Sequence, residues 1–220
     1  MKLRSDSMAI AAVVAGAASL LLASGCSTTP PVAERFVAAP AGTVSTYFRR
    51  SSGSFGTVDG PVSWTRVDRE WQGKPAYAAV SPQAGTTLHD PTSNNFGMLA
   101  RLNLGGEPVA SFDPPVGYRY PMQVGNEWIA KHAMTIYPSR EVRPYELSYK
   151  VEAYEPITVP AGTFKTYRIL ITDNFGQVDR YWISPETGIP TIKRTQMRPP
   201  THPQGAGKLE GELISLTAPK

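Results

Sequence analysis

Residues 145–153 read Tyr145-Glu146-Leu147-Ser148-Tyr149-Lys150-Val151-Glu152-Ala153. A period of two puts Tyr145, Leu147, Tyr149, Val151 and Ala153 on one face of a strand, with Glu146, Ser148, Lys150 and Glu152 on the other. One face is dry and one wet, as in an antiparallel sheet packed on one side. Two further stripes flank it in sequence: Trp128, Ala130, His132, Met134 and Ile136, then Tyr167, Ile169 and Ile171. From Thr43 onward, short runs rich in Val, Ile, Thr, Tyr, Phe and Trp alternate with turns rich in Gly, Pro, Asn and Asp, and no segment has a convincing helical period. The expectation is a mainly β, antiparallel domain over residues 42–220, built as a β-sandwich or a curved half-barrel.

An internal repeat adds detail. Residues 41–59 align without gaps on residues 161–179 at an offset of 120, with nine of nineteen positions identical, among them Tyr47 and Tyr167, and Asp59 and Asp179. A tryptophan follows each copy, Trp64 and Trp182. Each copy reads as an outgoing strand, a turn at Phe-Gly and a return strand. The repeat suggests two halves, 42–115 and 122–217.

The N-terminus reads differently. Lys2 and Arg4 precede an apolar run from Met8 to Leu22, too short for the ~18 to 20 residues of a spanning helix, then small residues and Cys26, the only cysteine. Leu22-Ala23-Ser24-Gly25-Cys26 resembles the bacterial lipobox, with Ala23 where that family prefers Leu. The resemblance implies that residues 1–25 are a signal peptide, that Cys26 is lipidated, and that a membrane holds the chain through this anchor. Ser27 is not the aspartate that marks inner-membrane retention in many Gram-negative lipoproteins, so the resemblance implies the periplasmic face of the outer membrane. Residues 26–41, with Pro30, Pro31 and Pro40, look like a flexible tether of about 20 Å mean reach.

Val159-Pro160-Ala161-Gly162-Thr163-Phe164, then Tyr181-Trp182-Ile183-Ser184-Pro185-Glu186-Thr187-Gly188, after Gly125-Asn126-Glu127-Trp128, resemble a module recurrent in uncharacterised bacterial envelope proteins and lipoproteins. The resemblance covers about residues 122–196. It implies a curved antiparallel sheet loosely like periplasmic lipoprotein-carrier half-barrels, with no settled activity and no catalytic residues to transfer.

The chemistry in the sequence is sparse. His89, His132 and His202 stand far apart without ligand spacing, so neither a metal nor a cofactor is expected. Ser51-Ser52-Gly53-Ser54-Phe55-Gly56 is a polar turn rather than a nucleophile elbow, and Gly205-Ala206-Gly207 does not join a strand to a helix. The net charge of +4 is scattered, against nucleic-acid binding. His132 falls on an apolar face, where a backbone carbonyl or a tyrosine hydroxyl would satisfy it. Asp59 and Asp179 are expected to brace their own hairpins. Trp64, Trp71, Trp128 and Trp182 could fill a core or line a cleft.

These features point to a non-enzymatic envelope lipoprotein that binds an apolar ligand or an envelope protein through the open face of its sheet. Trp128, His132, Tyr149, Tyr167 and Trp182 are the candidate ligand-lining residues. The alternatives are an assembly factor contacting cell wall or an outer-membrane complex and, with little support, an envelope hydrolase.

Overall fold

The computed structural model describes residues 29–92 and 95–219. The lipobox, with Cys26 and the signal segment, lies outside the described residues. Twelve strands follow in chain order: β1 (Val44–Gly53), β2 (Val58–Trp71), β3 (Lys74–Ser81), β4 (Gly85–His89), β5 (Met98–Leu102), β6 (Pro108–Val116), β7 (Glu127–Ile136), β8 (Glu141–Val159), β9 (Gly162–Asp173), β10 (Val178–Ile183), β11 (Lys193–Arg198) and β12 (Gly207–Thr217). Among the described residues the one helical element is a short 3-10 turn, Pro185–Thr187.

Each strand pairs antiparallel with its successor, and β12 returns to β1, so the sheet is a closed barrel. This corrects the expectation of a sandwich or an open half-barrel. The closing ladder runs from Val44↔Thr217 to Gly53↔Gly207, with one bulge between Thr46 and Tyr47. Closure removes the unpaired edges that a sandwich or half-barrel would leave. The ladder also crosses the boundary between the suggested halves, since β6 pairs with β7.

The three alternating stripes face the interior together. Tyr149 pairs with Trp128 and Ile171, and Val151 with Ile169, and all five are buried. A bulge between Val151 and Ala153 breaks the expected phase. Ala153 therefore pairs with Arg168 on the outer wall, and Tyr154 takes the inward place opposite Tyr167. The outer wall carries the ion pairs Arg50–Asp59, Lys150–Glu127, Arg168–Glu152 and Arg168–Glu155. Hydrocarbon would not tolerate such a wall as a lipid-facing band. Outward apolar residues cluster instead on β2 to β5, where Ala76, Ala78, Leu88 and Ala100 pack with Val67, Val80 and Leu102.

The repeat is a pair of hairpins with equivalent ends: β1 stops at Gly53 and β2 starts at Val58, as β9 stops at Asp173 and β10 starts at Val178. The pairing differs by one residue. Ser51 pairs with Val58, whereas Ile171 pairs with Asp179. A one-residue slip exchanges the two faces of the return strand. Asp59 thus points out to Arg50, with its side chain 71% exposed, while Asp179 points in and is buried. Neither braces its turn as expected. In the second hairpin Asp173 does so, accepting bonds from the amides of Phe175 at 2.9 Å and Gln177 at 2.8 Å.

One end of the barrel is plugged by the segment before β1. Ala33 bridges Met122, the Tyr167 hydroxyl donates to the Pro31 carbonyl at 2.6 Å, Phe36 meets Phe96 at 4.5 Å, and the Ala39 amide donates to the Gly188 carbonyl at 2.8 Å. What was expected to be a free tether is therefore, from about residue 31, part of the domain. Below the plug lies the main core of Met122, Trp128, Tyr149, Val151, Tyr167, Ile169 and Ile183. Gly188 lets the plug approach: its φ is +68°, and a Cβ there would sit 2.6 Å from the Ala39 nitrogen and 2.8 Å from its Cα. Gly188→Ala should lower unfolding free energy by about 1 to 3 kcal/mol and speed protease cleavage within residues 29–40. Denaturant melts and limited proteolysis matching wild type would refute the plug.

Candidate functional site: a basic inner wall

Twelve strands enclose more space than side chains of ordinary size fill. The end with the plug is packed by apolar side chains; further along the barrel the inward positions turn small or charged. At that level the closing ladder sets a row of inward residues: Gly60 pairs with Arg49, Arg49 with Gly211, Gly211 with Arg194, and Arg194 with Tyr181. Arg101 enters from β5 between Thr87 and Ala110, two small neighbours. A side chain at Gly60 would meet nothing within 4 Å. At Gly211 it would touch Arg194 Cγ and Nε at 3.5 Å.

Arg101 decides the character of this space. Its register puts it on the inner wall, where desolvation and then the charge of Arg194 lower its pKa, and its side chain is nonetheless exposed. Many protein atoms therefore surround Arg101 without covering it, so its guanidinium faces open space rather than packed side chains. Arg101 makes no hydrogen bond or ion pair among the described residues. Arg49 is better anchored, donating to Ser51 Oγ at 3.2 Å and to the Phe55 carbonyl at 2.7 Å. Its pKa too is lowered, by desolvation first and then by Arg194 and Arg101. Arg194 is the cross-strand partner of Tyr181, and its charge acts on the Tyr181 phenol against the effect of burial.

Tyrosines complete the wall. Burial raises the pKa of Tyr118, Tyr145 and Tyr181, so each keeps its phenolic proton and can donate. Tyr145 lies 5.7 Å from Phe112 and 6.2 Å from Phe175, ring centre to ring centre, an aromatic side facing the basic one.

Asp179 is the acid of this region, and its partners are already committed. Gln177 Nε2 donates to both its oxygens at 3.0 and 2.9 Å, and Gln196 Nε2 to one at 3.0 Å while also reaching the Tyr181 hydroxyl at 3.1 Å. Arg198 bonds Gln177 Oε1 at 2.6 Å and covers the Phe55 ring at 3.9 Å, tying this network to the β1–β2 turn. Burial dominates the Asp179 carboxyl and raises its pKa to about 6, against the lowering by the two amides and Arg194.

Of the five residues singled out from sequence, four point inward and one does not. Trp128 stacks on Tyr149 at 4.6 Å in the packed core, and Tyr167 is buried with its hydroxyl on the plug. His132 bonds the Pro114 carbonyl through Nδ1 at 2.7 Å, while its buried Nε2 has no partner. Trp182 is on the outer wall, donating to Glu155 at 2.9 Å, and does not reach the lumen. The lumen arginines escaped notice because each was one scattered charge. The available signal was phase: Arg49 lies two residues after the inward Tyr47, and Arg194 two after the buried Ile192. Among the described residues no group of three His, Cys, Asp or Glu could hold a metal.

No protein-family model matches the chain, and no curated protein matches it. Similar solved structures include a protein from Bacteroides fragilis described as exported and as having a YmcC-like fold, with 13% identity, a TM-score of 0.49, and coverage of 84% of this chain and 99% of that one. A protein described as a lipoprotein of Parabacteroides distasonis gives 13%, 0.42, 84% and 99%. The hypothetical lipoprotein YmcC from Escherichia coli gives 12%, 0.43, 82% and 86%. Likeness at this level concerns strand arrangement, and no activity or ligand passes from those proteins to this chain.

The raised Asp179 pKa fixes the sign of a pH effect. The folded carboxyl holds its proton more tightly than the unfolded one, so its contribution to stability is present at acid pH and is lost as pH rises from about 4 through about 6. Asp179→Asn should therefore be more stable than wild type at pH 7.5, with the gap shrinking by roughly 2 to 3 kcal/mol toward pH 4. Urea melts at both pH values decide it; a variant less stable than wild type at pH 7.5 would show instead that the ionised carboxylate supports the fold.

Proposed function

We propose that this protein is a non-enzymatic binding module of the bacterial envelope, tethered through a lipid on Cys26 to the periplasmic face of the outer membrane, that holds a small polar ligand inside its barrel. The lipobox-like segment supports the address. One observation carries the binding reading: a cation, Arg101, exposed on the inner wall of the barrel and without a partner among the described residues, on a wall that is also left open at Gly60. An arginine on an inner wall weakens the fold unless water or a ligand solvates it.

The lumen changes the nature of the expected ligand. The closed ladder leaves no open sheet face for an apolar molecule, and the inward aromatics Trp128, Tyr149 and Tyr167 are consumed by the core. What remains is a space with guanidinium donors on one side and phenol rings on the other, suited to a hydrophilic molecule with some flat carbon surface. Entry is from the end opposite the plug.

Gly60 supplies the test, because its backbone is unstrained for a side chain and its Cβ direction is open. Gly60→Phe should fold as wild type does while filling the lumen. Native mass spectrometry of the two proteins, purified alike from the envelope, should find a bound small molecule in wild type and lose it in the variant. Identical small-molecule content in both, with unchanged circular dichroism, would place any ligand outside the barrel and overturn the proposal.

A further inference from the structure

We infer that Arg101 and Arg194, assisted by Arg49, form an anion-recognition centre, so that the ligand carries a phosphate or carboxylate group seated against these guanidinium groups. The inference rests on the lumen-binding reading above and adds the chemistry that the lumen selects.

Arg49 and Arg194 flank Gly211 on the inner wall and Arg101 stands on the inner wall of β5 between Thr87 and Ala110; the charge of Arg194 reaches both of the others, and that of Arg101 reaches Arg49. Like charges brought together in this way oppose folding unless something of opposite sign is present. Among the described residues Asp179 acts on Arg194 at a distance, but no carboxylate forms an ion pair with Arg49, Arg101 or Arg194. Asp179 is held by two glutamine amides. Arginines on the outer wall are treated differently: Arg50 meets Asp59, Arg168 meets Glu152 and Glu155, and Arg180 meets Glu152. Among the described residues Arg50, Arg168 and Arg180 thus have carboxylate partners on the outer wall, and Arg49, Arg101 and Arg194 have none on the inner one.

The neighbours of the three arginines have little bulk, which leaves the guanidinium groups approachable. Gly60 and Gly211 flank Arg49, Gly211 also flanks Arg194, and Thr87 and Ala110 flank Arg101. Planar guanidinium groups bind oxyanions through two parallel N–H bonds, which a phosphate or carboxylate accepts and a neutral hydroxyl does not. The Tyr181 hydroxyl, beside Arg194, supplies a further neutral donor, and the rings of Tyr145 and Phe112 offer a surface for the uncharged part of the molecule.

Titration calorimetry on the mature protein with inorganic phosphate, glucuronate and glucose tests this. Phosphate or glucuronate should bind, and which of them binds identifies the group; glucose alone should not. Arg101→Gln should weaken binding roughly tenfold or more, the loss of one charge-assisted contact, and Arg194→Gln should act similarly, which guards against misfolding of either variant. Arg50→Gln, on the outer wall, should bind as wild type does. Binding of neither anion, or equal binding by wild type and both lumen variants, overturns the inference. A neutral molecule that co-purifies with wild type and Arg101→Gln but not with Gly60→Phe would refute the anion assignment while leaving the lumen-binding reading intact.

Discussion

Everything distinctive about this molecule depends on the ladder between β1 and β12. That pairing joins residues more than 150 positions apart and turns a curled sheet into a barrel. It removes two exposed edges that would otherwise template association with other chains. It also creates the lumen. Arg49 and Arg194 lie on either side of Gly211, so they become neighbours only because β12 lies between β1 and β11. Were the sheet open at this seam, Arg49 and Arg194 would lie near opposite edges, and their charges would face water rather than each other.

Closure also raises a problem of volume, which the chain solves asymmetrically. A barrel of twelve strands is too wide for its own side chains to fill. At one end the segment before β1 crosses the opening, accepts the Tyr167 hydroxyl, and packs against Phe96 and Gly188. Trp128, Tyr149, Ile169 and Ile183 fill the space beneath. At mid-height the inward positions turn small or charged, with Gly60, Gly211, Thr87 and Ala110 around the arginines. Apolar packing is thus concentrated at the plugged end, and the region around the arginines is left to small and charged side chains.

Much of this was legible from local pattern and the rest was not, for definite reasons. Alternation in residues 145–151 and 128–136 gave the strands and their inward faces, because period two is a property of each strand alone. His132 was expected to be satisfied by a backbone carbonyl, and it bonds Pro114. The phase failed where a single residue intervenes: at the bulge after Val151, and in the second hairpin, where a slipped register sends Asp179 inward although its counterpart Asp59 points out. Trp182 lies two residues from the inward Arg180 position that strict repetition of the first hairpin would give, and it ends on the outer wall for the same reason. Closure has no local signature, since the pairing of β1 with β12 depends on strands at the two ends of the domain. The arginine centre was hidden with it.

The most direct test of the account is a bridge across the closing seam. Ser52 and Lys208 are paired and both exposed, and the described residues contain no cysteine to compete. Paired residues on antiparallel strands have Cα atoms about 4.5 to 5.5 Å apart, within reach of a disulfide. The account predicts that Ser52→Cys with Lys208→Cys, in a Cys26→Ser background, oxidises rapidly to an intramolecular bridge in the native monomer, read by intact mass and by mobility on non-reducing gels. Free thiols that persist under oxidation, or bridges formed only between chains, would mean that β1 and β12 are separate edges and that the lumen does not exist.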